Sequence, residues 1–368
     1  MKVLISGGGT GGHIYPALAL IEQIKKEIPN AEFLYIGSDN GLESRIVPDN
    51  QIPFKTVTIS GFRRKLSVEN VKTVLRFLKA VSTAKRYIRD FHPDVVIGTG
   101  GYVCGPVVFA AAKQRIPTLI HEQNSVPGLT NKFLSKYVDR VAISFEASKT
   151  FFPKEKVALT GNPRAQQVYE ASLEKSGGRL TELGLDPNQK TVLIVGGSRG
   201  AKPINEAFLQ AVPALKDKPF QCLYVTGDVH YESIKSELTT FGELTNIVCV
   251  PFIHDMPQVL KHVDLLVARA GATTLSETTA LGLPSLLVPS PYVTNNHQEK
   301  NARALENNGA AKVIVEKELS ADRLVQEMDA SLEKENWQVM HEAAKAMGTP
   351  EAATTLRKLM EEVIAEKQ

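Results

Sequence analysis

The chain has 368 residues, 43% of them hydrophobic and 23% charged, with a net charge of +3. That length exceeds what one core ordinarily serves, so two domains are expected, and the composition excludes a disordered or low-complexity chain. Cys104, Cys222 and Cys249 stand singly, against a disulfide framework or structural zinc and for a reduced compartment, while neither a signal peptide nor an apolar run of about 18 residues is present.

Short β-branched runs alternate with helical patterns from the start. Strands are predicted at 2–6, 32–37, 94–97, 117–120, 138–143 and 156–160, with helices near 13–28, 68–90, 104–115 and 128–136. The pattern restarts with a strand at 191–195 and a helix near 201–213. Strands follow at 221–226, 246–250, 264–268, 284–289 and 310–315. Beyond about 318 the chain reads as helix, broken at Gly348-Thr349-Pro350 before an amphipathic helix over 351–366. Such alternation means right-handed βαβ crossovers and parallel sheets, and the restart means two of them. The expected fold is therefore α/β, with two parallel-sheet domains facing across a cleft. A seam near 161–167 divides 1–163 from 164–350.

The charge divides unevenly between these halves. Residues 1–163 hold 22 Lys/Arg against 13 Asp/Glu, and the remainder 21 against 27. Residues 63–89 alone contain nine basic residues and one acid. Such asymmetry points to an anionic surface opposite the first half. A helical wheel over 68–89 puts Lys72, Arg76, Lys79 and Arg86 on one stripe. Val71, Val74, Phe77, Leu78, Val81 and Ile88 form the other. Two readings stand: an ordinary sheet-covering helix with a solvated face, or a face for anionic lipid in which Phe62-Arg63-Arg64-Lys65 adds an apolar residue beside three cations. Nucleic acid is a poor match, because no aromatic stacking platform accompanies the charge.

Ligands of open α/β sheets bind beyond the carboxyl ends of strands. Three loops there are built for anions. After the first strand, Gly7, Gly9 and Gly12 satisfy G-x-G-x-x-G, with Asp39 after the second strand. That spacing also admits a dinucleotide site or a bare tight turn. His13 beside the loop and a second glycine loop weigh against the dinucleotide. The second loop, "IVGGSRGA" (194–201), offers a backbone nest with Ser198 and Arg199. In the third, Ala270, Gly271, Ala272, Thr273 and Thr274 free backbone N–H groups for a pyrophosphate at a helix N-terminus. Glu277, one turn on, either caps that helix or bridges ribose hydroxyls. Asn296, His297 and Gln298 are placed on the following loop, suited to sugar hydroxyls.

Together "GGGTGGHIYPALAL", "GTGGYVCGP", "HEQNSVPG", "TGNPR", "GGSRGA", "ARAGATTLSE" and "NNHQEKNA" resemble the MurG family over nearly the whole chain. The resemblance implies a GT-B fold and transfer of N-acetylglucosamine from UDP to the C4 hydroxyl of lipid-linked N-acetylmuramoyl-pentapeptide, turning lipid I into lipid II in peptidoglycan synthesis. The first domain would take the acceptor and the second mainly UDP-N-acetylglucosamine, with 351–368 returning to the first. Thr10, Gly11, Gly12 and Asn124 would reach the donor from the first domain. Arg164, Ser198, Ile253 and Gln298 would contact it from the second, with Glu277 on the ribose. Arg164 follows Pro163 directly, one residue earlier than is usual in the family. A lipid-linked acceptor implies a peripheral enzyme on the cytoplasmic face of the membrane, touching anionic inner-leaflet lipids and other cell-wall synthesis proteins.

Inverting transfer needs a base for the acceptor hydroxyl and fixed positive potential for the departing UDP. His13 is the expected base, because imidazole exchanges protons near neutral pH. Its alternative role is to cap the helix or bond a phosphate. Glu122 is second, since burial makes a carboxylate more basic. His121 and His297 read as structural or sugar-binding. The sequence has no D-x-D pair, so neither metal nor other cofactor is expected. The rivals are a transferase acting on another lipid such as diacylglycerol, a UDP-N-acetylglucosamine 2-epimerase, and a non-catalytic nucleotide-sugar binder. Lipid dependence and turnover separate them.

Overall fold

A computed structural model describes residues 1–60, 68–174, 178–197 and 200–367. It forms two compact units, residues 1–164 with 351–368, and residues 165–350. The elements of the first are β1 (Lys2–Gly7), α1 (Gly11–Glu27), β2 (Glu32–Ser38), α2 (Glu43–Asp49), β3 (Phe54–Val57), α3 (Val68–Phe91), β4 (Val95–Gly100), α4 (Cys104–Lys113), β5 (Thr118–Glu122), α5 (Leu129–Leu134), β6 (Arg140–Ile143) and β7 (Val157–Leu159). The chain leaves through α6 (Pro163–Leu173). The second unit then holds α7 (Arg179–Glu182), β8 (Thr191–Val195), α8 (Lys202–Leu215), β9 (Gln221–Val225), α9 (Asp228–Leu238), β10 (Ile247–Val250), α10 (Met256–Leu260), β11 (Leu265–Ala268), α11 (Ala272–Leu281), β12 (Ser285–Leu287), α12 (His297–Asn307), β13 (Ala311–Val313), α13 (Ala321–Leu332) and α14 (Lys334–Met347). Helix α15 (Ala352–Ala365) belongs to the first unit.

Every strand pairing is parallel. The first sheet runs β3-β2-β1-β4-β5-β6-β7 and the second β10-β9-β8-β11-β12-β13. Both are doubly wound, and the strand order reverses beside β1 in one and β8 in the other. Such a reversal opens a crevice at the strands' carboxyl ends. The glycine loops leave β1 and β8, so each lies at its sheet's switch point.

Strands buried on both faces read as apolar runs because alternate residues feed different cores. Val3, Ile5, Val95 and Ile97 point toward α1 and α15, while Leu4 and Val96 point toward α3 and α4. Leu356, Leu359 and Met360 of α15 join Ile14, Leu18 and Ile21 of α1 in the former core. Arg357 adds an ion pair with Glu27 at 2.7 Å. In the second unit, α8 and α13 cover one face of the sheet through Phe208, Val212, Leu324 and Met328.

Strand β3 and helix α2 have no counterpart among the predicted elements. Strand β3 is a four-residue edge with only Val57 buried, and α2 buries just Glu43 and Val47, so neither shows apolar periodicity. The helical tail also breaks at Glu333, which has an extended ψ of 134° between α13 and α14.

The wheel for α3 needs correction. Val74, Leu75 and Leu78 are 46%, 62% and 58% exposed, whereas Thr73, Ala80, Val81, Ala84 and Ile88 are buried. The contact stripe runs through small residues, Ala80 and Ala84, which let α3 lie close against its neighbours. A wheel weighted by hydrophobicity undervalues alanine. Val74 and Leu78 therefore stand at the surface with Leu75, Arg76 and Lys79.

Candidate functional site

In the first unit, the loops from β1 and β4 meet around His13, and Gln123 Nε2, after β5, donates to Thr99 C=O at 2.8 Å. Gly9 adopts φ +83°, the left-handed region that glycine enters freely. The loop after β4 lies directly against it: Gly8 N–H donates to Gly100 C=O at 3.2 Å. A Cβ on Gly101 would overlap the Gly8 carbonyl oxygen. The Thr99 hydroxyl donates to His13 C=O at 2.8 Å, and a Cβ on Gly7 would collide with that hydroxyl. These close approaches account for Gly7 and Gly101.

His13 itself is half-buried in the first turn of α1. Its Nδ1 lies 2.7 Å from Gly8 C=O, which can only accept, so Nδ1 carries the proton of the neutral ring. Nε2 then keeps a lone pair, and it has no hydrogen-bond partner among the described residues. Thr10 Oγ1 also approaches Nδ1, at 3.3 Å. The Gly11 and Gly12 amides open α1, where helix geometry gives them no intrahelical acceptor.

One buried acid beside this loop escaped the sequence reading. Glu43, fully buried, accepts Gly9 N–H at 2.9 Å through Oε2, and Ser38 N–H at 3.0 Å and Ser38 O–H at 2.5 Å through Oε1. A Cβ on Gly8 or Gly41 would overlap its carboxylate, so glycines make its space. Burial pushes its pKa up, but the Ser38 hydroxyl and the Gly9 and Ser38 amides together hold it below the usual carboxylate range. The signal for it was chemical, an acid five residues beyond a strand end.

His121 and Glu122, at the end of β5, serve the following loop. Glu122 is 2% exposed and both its oxygens are occupied. Asn124 N–H (3.0 Å) and Asn124 Nδ2 (3.1 Å) donate to Oε1, and Gly128 N–H (3.1 Å) and Asn131 Nδ2 (2.9 Å) to Oε2. That is a strap across residues 122–131. His121 Nε2 donates to Gly161 C=O at 2.9 Å and Nδ1 accepts from Gln123 Nε2 at 2.9 Å. Burial pushes its pKa down to about 4, against the opposing Gly161 bond, so the ring is neutral.

That shift predicts an acid instability. The folded pKa is below the unfolded value of about 6.5, so the contribution is complete above pH 6.5 and lost as pH falls toward 4, by about 3 kcal/mol in all. Denaturant midpoints measured over this window should fall for the native chain, and fall less steeply for His121→Gln.

In the second unit, Gly197 and Gly200 have φ +94° and +72°, and a Cβ on Gly200 would overlap Thr226 C=O. Ser198 and Arg199 lie outside the described residues. After β11 the chain turns through Gly271, the N-cap of α11, leaving the Ala272, Thr273 and Thr274 amides as the free donors of a ten-residue helix. Thr273 Oγ1 is buried without a hydrogen-bond partner among the described residues. Glu277 stands six residues past the cap and is buried, which removes the capping role. Arg269 is turned away from the loop, bonded to Glu316 at 2.5 Å and Val288 C=O at 3.1 Å.

The loop after β12 also differs from expectation. Asn295 and Asn296 are both left-handed, with φ 57° and 50°, and His297 and Gln298 open helix α12 rather than lying in a loop. Gln298 Oε1 accepts Ser290 N–H at 2.9 Å, which presents Nε2 as a donor. The Ile253 side chain lies in the hydrophobic core, so only its backbone is available to a ligand. Arg164 lies over the Tyr15 ring, 5.8 Å from its centroid, and its N–H is held by Asn162 Oδ1 at 3.1 Å.

On the α3–α5 side of the first unit, Phe77, Phe109, Phe133 and Tyr137 form a chain of ring contacts between 5.0 and 6.2 Å. Phe133 and Tyr137 are exposed, and Lys113 sits 5.1 Å from the Tyr137 ring. Residues 62–65 and the Lys72 side chain lie outside the described residues. Among the described residues no helix is long and apolar enough to cross a membrane, and no three His, Cys, Asp or Glu side chains cluster as metal ligands.

Comparison with known proteins agrees with this layout. Residues 3–143 match the glycosyltransferase family 28 N-terminal domain, and residues 191–356 match its C-terminal domain. The UDP-N-acetylglucosamine–N-acetylmuramyl-(pentapeptide) pyrophosphoryl-undecaprenol N-acetylglucosamine transferase of Halalkalibacterium halodurans is 59% identical over 364 residues, 99% of each chain. The crystal structure of Acinetobacter baumannii MurG superposes with a TM-score of 0.79 at 31% identity, covering 98% of this chain and 99% of that one. A UDP-GlcNAc 2-epimerase from Neisseria meningitidis reaches a TM-score of 0.67 over 100% of both chains, but at 16% identity it shares the fold alone. Two doubly wound sheets, a glycine loop at each switch point and likeness along the full chain thus place this protein in glycosyltransferase family 28, among the MurG transferases.

Proposed function

We propose that the chain transfers N-acetylglucosamine from UDP-N-acetylglucosamine to the C4 hydroxyl of undecaprenyl-pyrophosphoryl-N-acetylmuramoyl-pentapeptide, with inversion, converting lipid I to lipid II. Full-length likeness to transferases of that name carries this reading.

The residues divide the work as follows. His13 Nε2 takes the hydroxyl proton as the new bond forms, because Nδ1–H is committed to Gly8 C=O. Glu122, with both oxygens engaged, holds the Asn124 loop rather than moving a proton. As the bond from the sugar to UDP breaks, charge gathers on the β-phosphate. The Ala270–Thr274 turn meets it with α11 amides and the positive end of that helix. Glu277 holds the ribose hydroxyls, Gln298 Nε2 and the Ile253 backbone contact the donor, and Ser198 and Arg164 add polar groups to it. Thr10, Gly11, Gly12 and Asn124 serve the transferred sugar. A helix N-terminus supplies the electrostatic stabilisation that a metal gives elsewhere, so turnover is expected to survive EDTA.

The lipid-linked acceptor brings the enzyme to the cytoplasmic face of the membrane. Val74, Leu75 and Leu78, exposed on α3 beside Arg76 and Lys79, together with the exposed Phe133 and Tyr137, suit shallow insertion among anionic lipids. The test is UDP release with a lipid I analogue in phosphatidylglycerol vesicles containing EDTA. Release that depends on the acceptor supports the reading, and consumption of donor without acceptor refutes it. Replacing both Leu75 and Leu78 by Glu should weaken vesicle binding more than about tenfold, given ~1.5 kcal/mol or more per buried leucine. Wild-type sedimentation of that variant would refute the membrane face alone.

A further inference from the structure

Glu43 and His13 are attached to opposite ends of one peptide group. Gly9 N–H donates to Glu43 Oε2 at 2.9 Å, and Gly8 C=O, the carbonyl of the same peptide, accepts Nδ1–H of His13 at 2.7 Å. We propose that Glu43 is a positioning residue for the transfer, acting on His13 through the Gly8–Gly9 peptide. The inference rests on His13 being the base.

An anion at the N–H end of an amide polarises it and strengthens the carbonyl as an acceptor. The strengthened carbonyl keeps the proton on Nδ1 and the lone pair on Nε2. It also favours the positive charge that develops on the ring as the acceptor proton arrives. A buried aspartate behind a catalytic histidine works in this way; here a peptide group stands between the two. Orientation matters as much as charge. A peptide between two glycines turns over at little cost, and a flipped Gly8–Gly9 unit would face His13 with an N–H. Glu43 opposes that flip, because it would lose its Gly9 donor while remaining buried.

Holding the loop in place does not by itself call for a buried charge. Tyr35 O–H already donates to Gly7 C=O at 2.9 Å, and Gly100 C=O holds Gly8 N–H at 3.2 Å. The carboxylate has its own support from Ser38, whose N–H and O–H both donate to Oε1. Three donors thus keep an anion where a neutral side chain would fill the same space.

The test is Glu43→Gln, read by the ¹⁵N resonances of the His13 ring and by kinetics. Native protein should show the ring protonated at Nδ1. In the variant that tautomer should be depleted, kcat should fall about 10–100-fold, as losses of such supporting partners do elsewhere, and KM for UDP-N-acetylglucosamine should hold. The acid limb of the kcat profile should move to lower pH. In the His13→Ala background, Glu43→Gln should change kcat no further. A wild-type tautomer with wild-type kcat overturns the proposal, and so does an equal loss of kcat in both backgrounds, which marks a purely structural role. If His13→Ala alone keeps wild-type kcat, the base assignment fails, while the tautomer in Glu43→Gln still reports whether the peptide relay exists. Should Glu43→Gln not fold, Glu43→Asp, one methylene short of Gly9, carries the tautomer measurement, and an unchanged ring there refutes the relay.

Discussion

His13→Ala lowers kcat about 10²–10⁴-fold, the range by which a positioned base accelerates proton transfer, while UDP binding persists. The expectation follows from one ring with two distinct nitrogens. Nδ1 is committed to a carbonyl at 2.7 Å, so the only basic lone pair in the loop belongs to Nε2. Glu122 is no substitute, since four donors between 2.9 and 3.1 Å saturate its oxygens. Steady-state UDP release with a lipid I analogue gives kcat, and calorimetric titration with UDP gives binding. A loss of affinity equal to the loss of kcat would assign His13 to phosphate binding instead. Glu122→Gln should act mainly on stability, because an amide cannot accept all four donors.

The second large effect belongs to Gly101→Ala. Gly101 has φ +84°, which costs a residue bearing a Cβ about 1–2 kcal/mol. The new methyl would also overlap Gly8 C=O, a backbone atom with no rotamer to yield. The loop must move, and with it the carbonyl that fixes His13. A stability loss above about 2 kcal/mol is expected, with kcat falling toward that of His13→Ala. Gly105→Ala, four residues on, is the control. Its Cβ would meet Phe77 and Thr130 at an ordinary 3.5 Å inside helix α4, so the change should be neutral or stabilising by up to about 1 kcal/mol. Denaturant midpoints and kcat for the pair separate the geometry of Gly101 from a general intolerance of alanine in this motif.

Much of this architecture is legible in order along the chain. Strands β1, β4, β8 and β11 are buried on both faces and read as unbroken apolar runs. Glycine clusters directly after β1 and β8 mark where a backbone must turn tightly and approach an anion. Repetition of that unit is enough for two doubly wound sheets and for the placing of His13 and the Ala270–Thr274 turn at strand ends. Those features depend on residues near one another in sequence, where periodicity and turn chemistry act directly.

What the sequence could not determine depends on contacts between distant segments. The exposure of Val74 and Leu78 follows from which side of α3 lies against α4, a choice made by Ala80 and Ala84 that hydrophobicity does not rank. The pairing of Arg269 with Glu316, 47 residues away, likewise has no local signal. Glu277 admits a capping reading beside the ribose one until the helix start is known to be Ala272. Glu43 is the clearest case. A lone acid in a short helix resembles any solvated carboxylate, and only folding brings β1, β2 and α2 together so that glycines open its cavity and Ser38 and Gly9 stabilise its charge. Local chemistry in the sequence determined the fold class and where the loops stand; burial and hydrogen bonding across tens of residues, which no local pattern encodes, decided which side chains those loops can use.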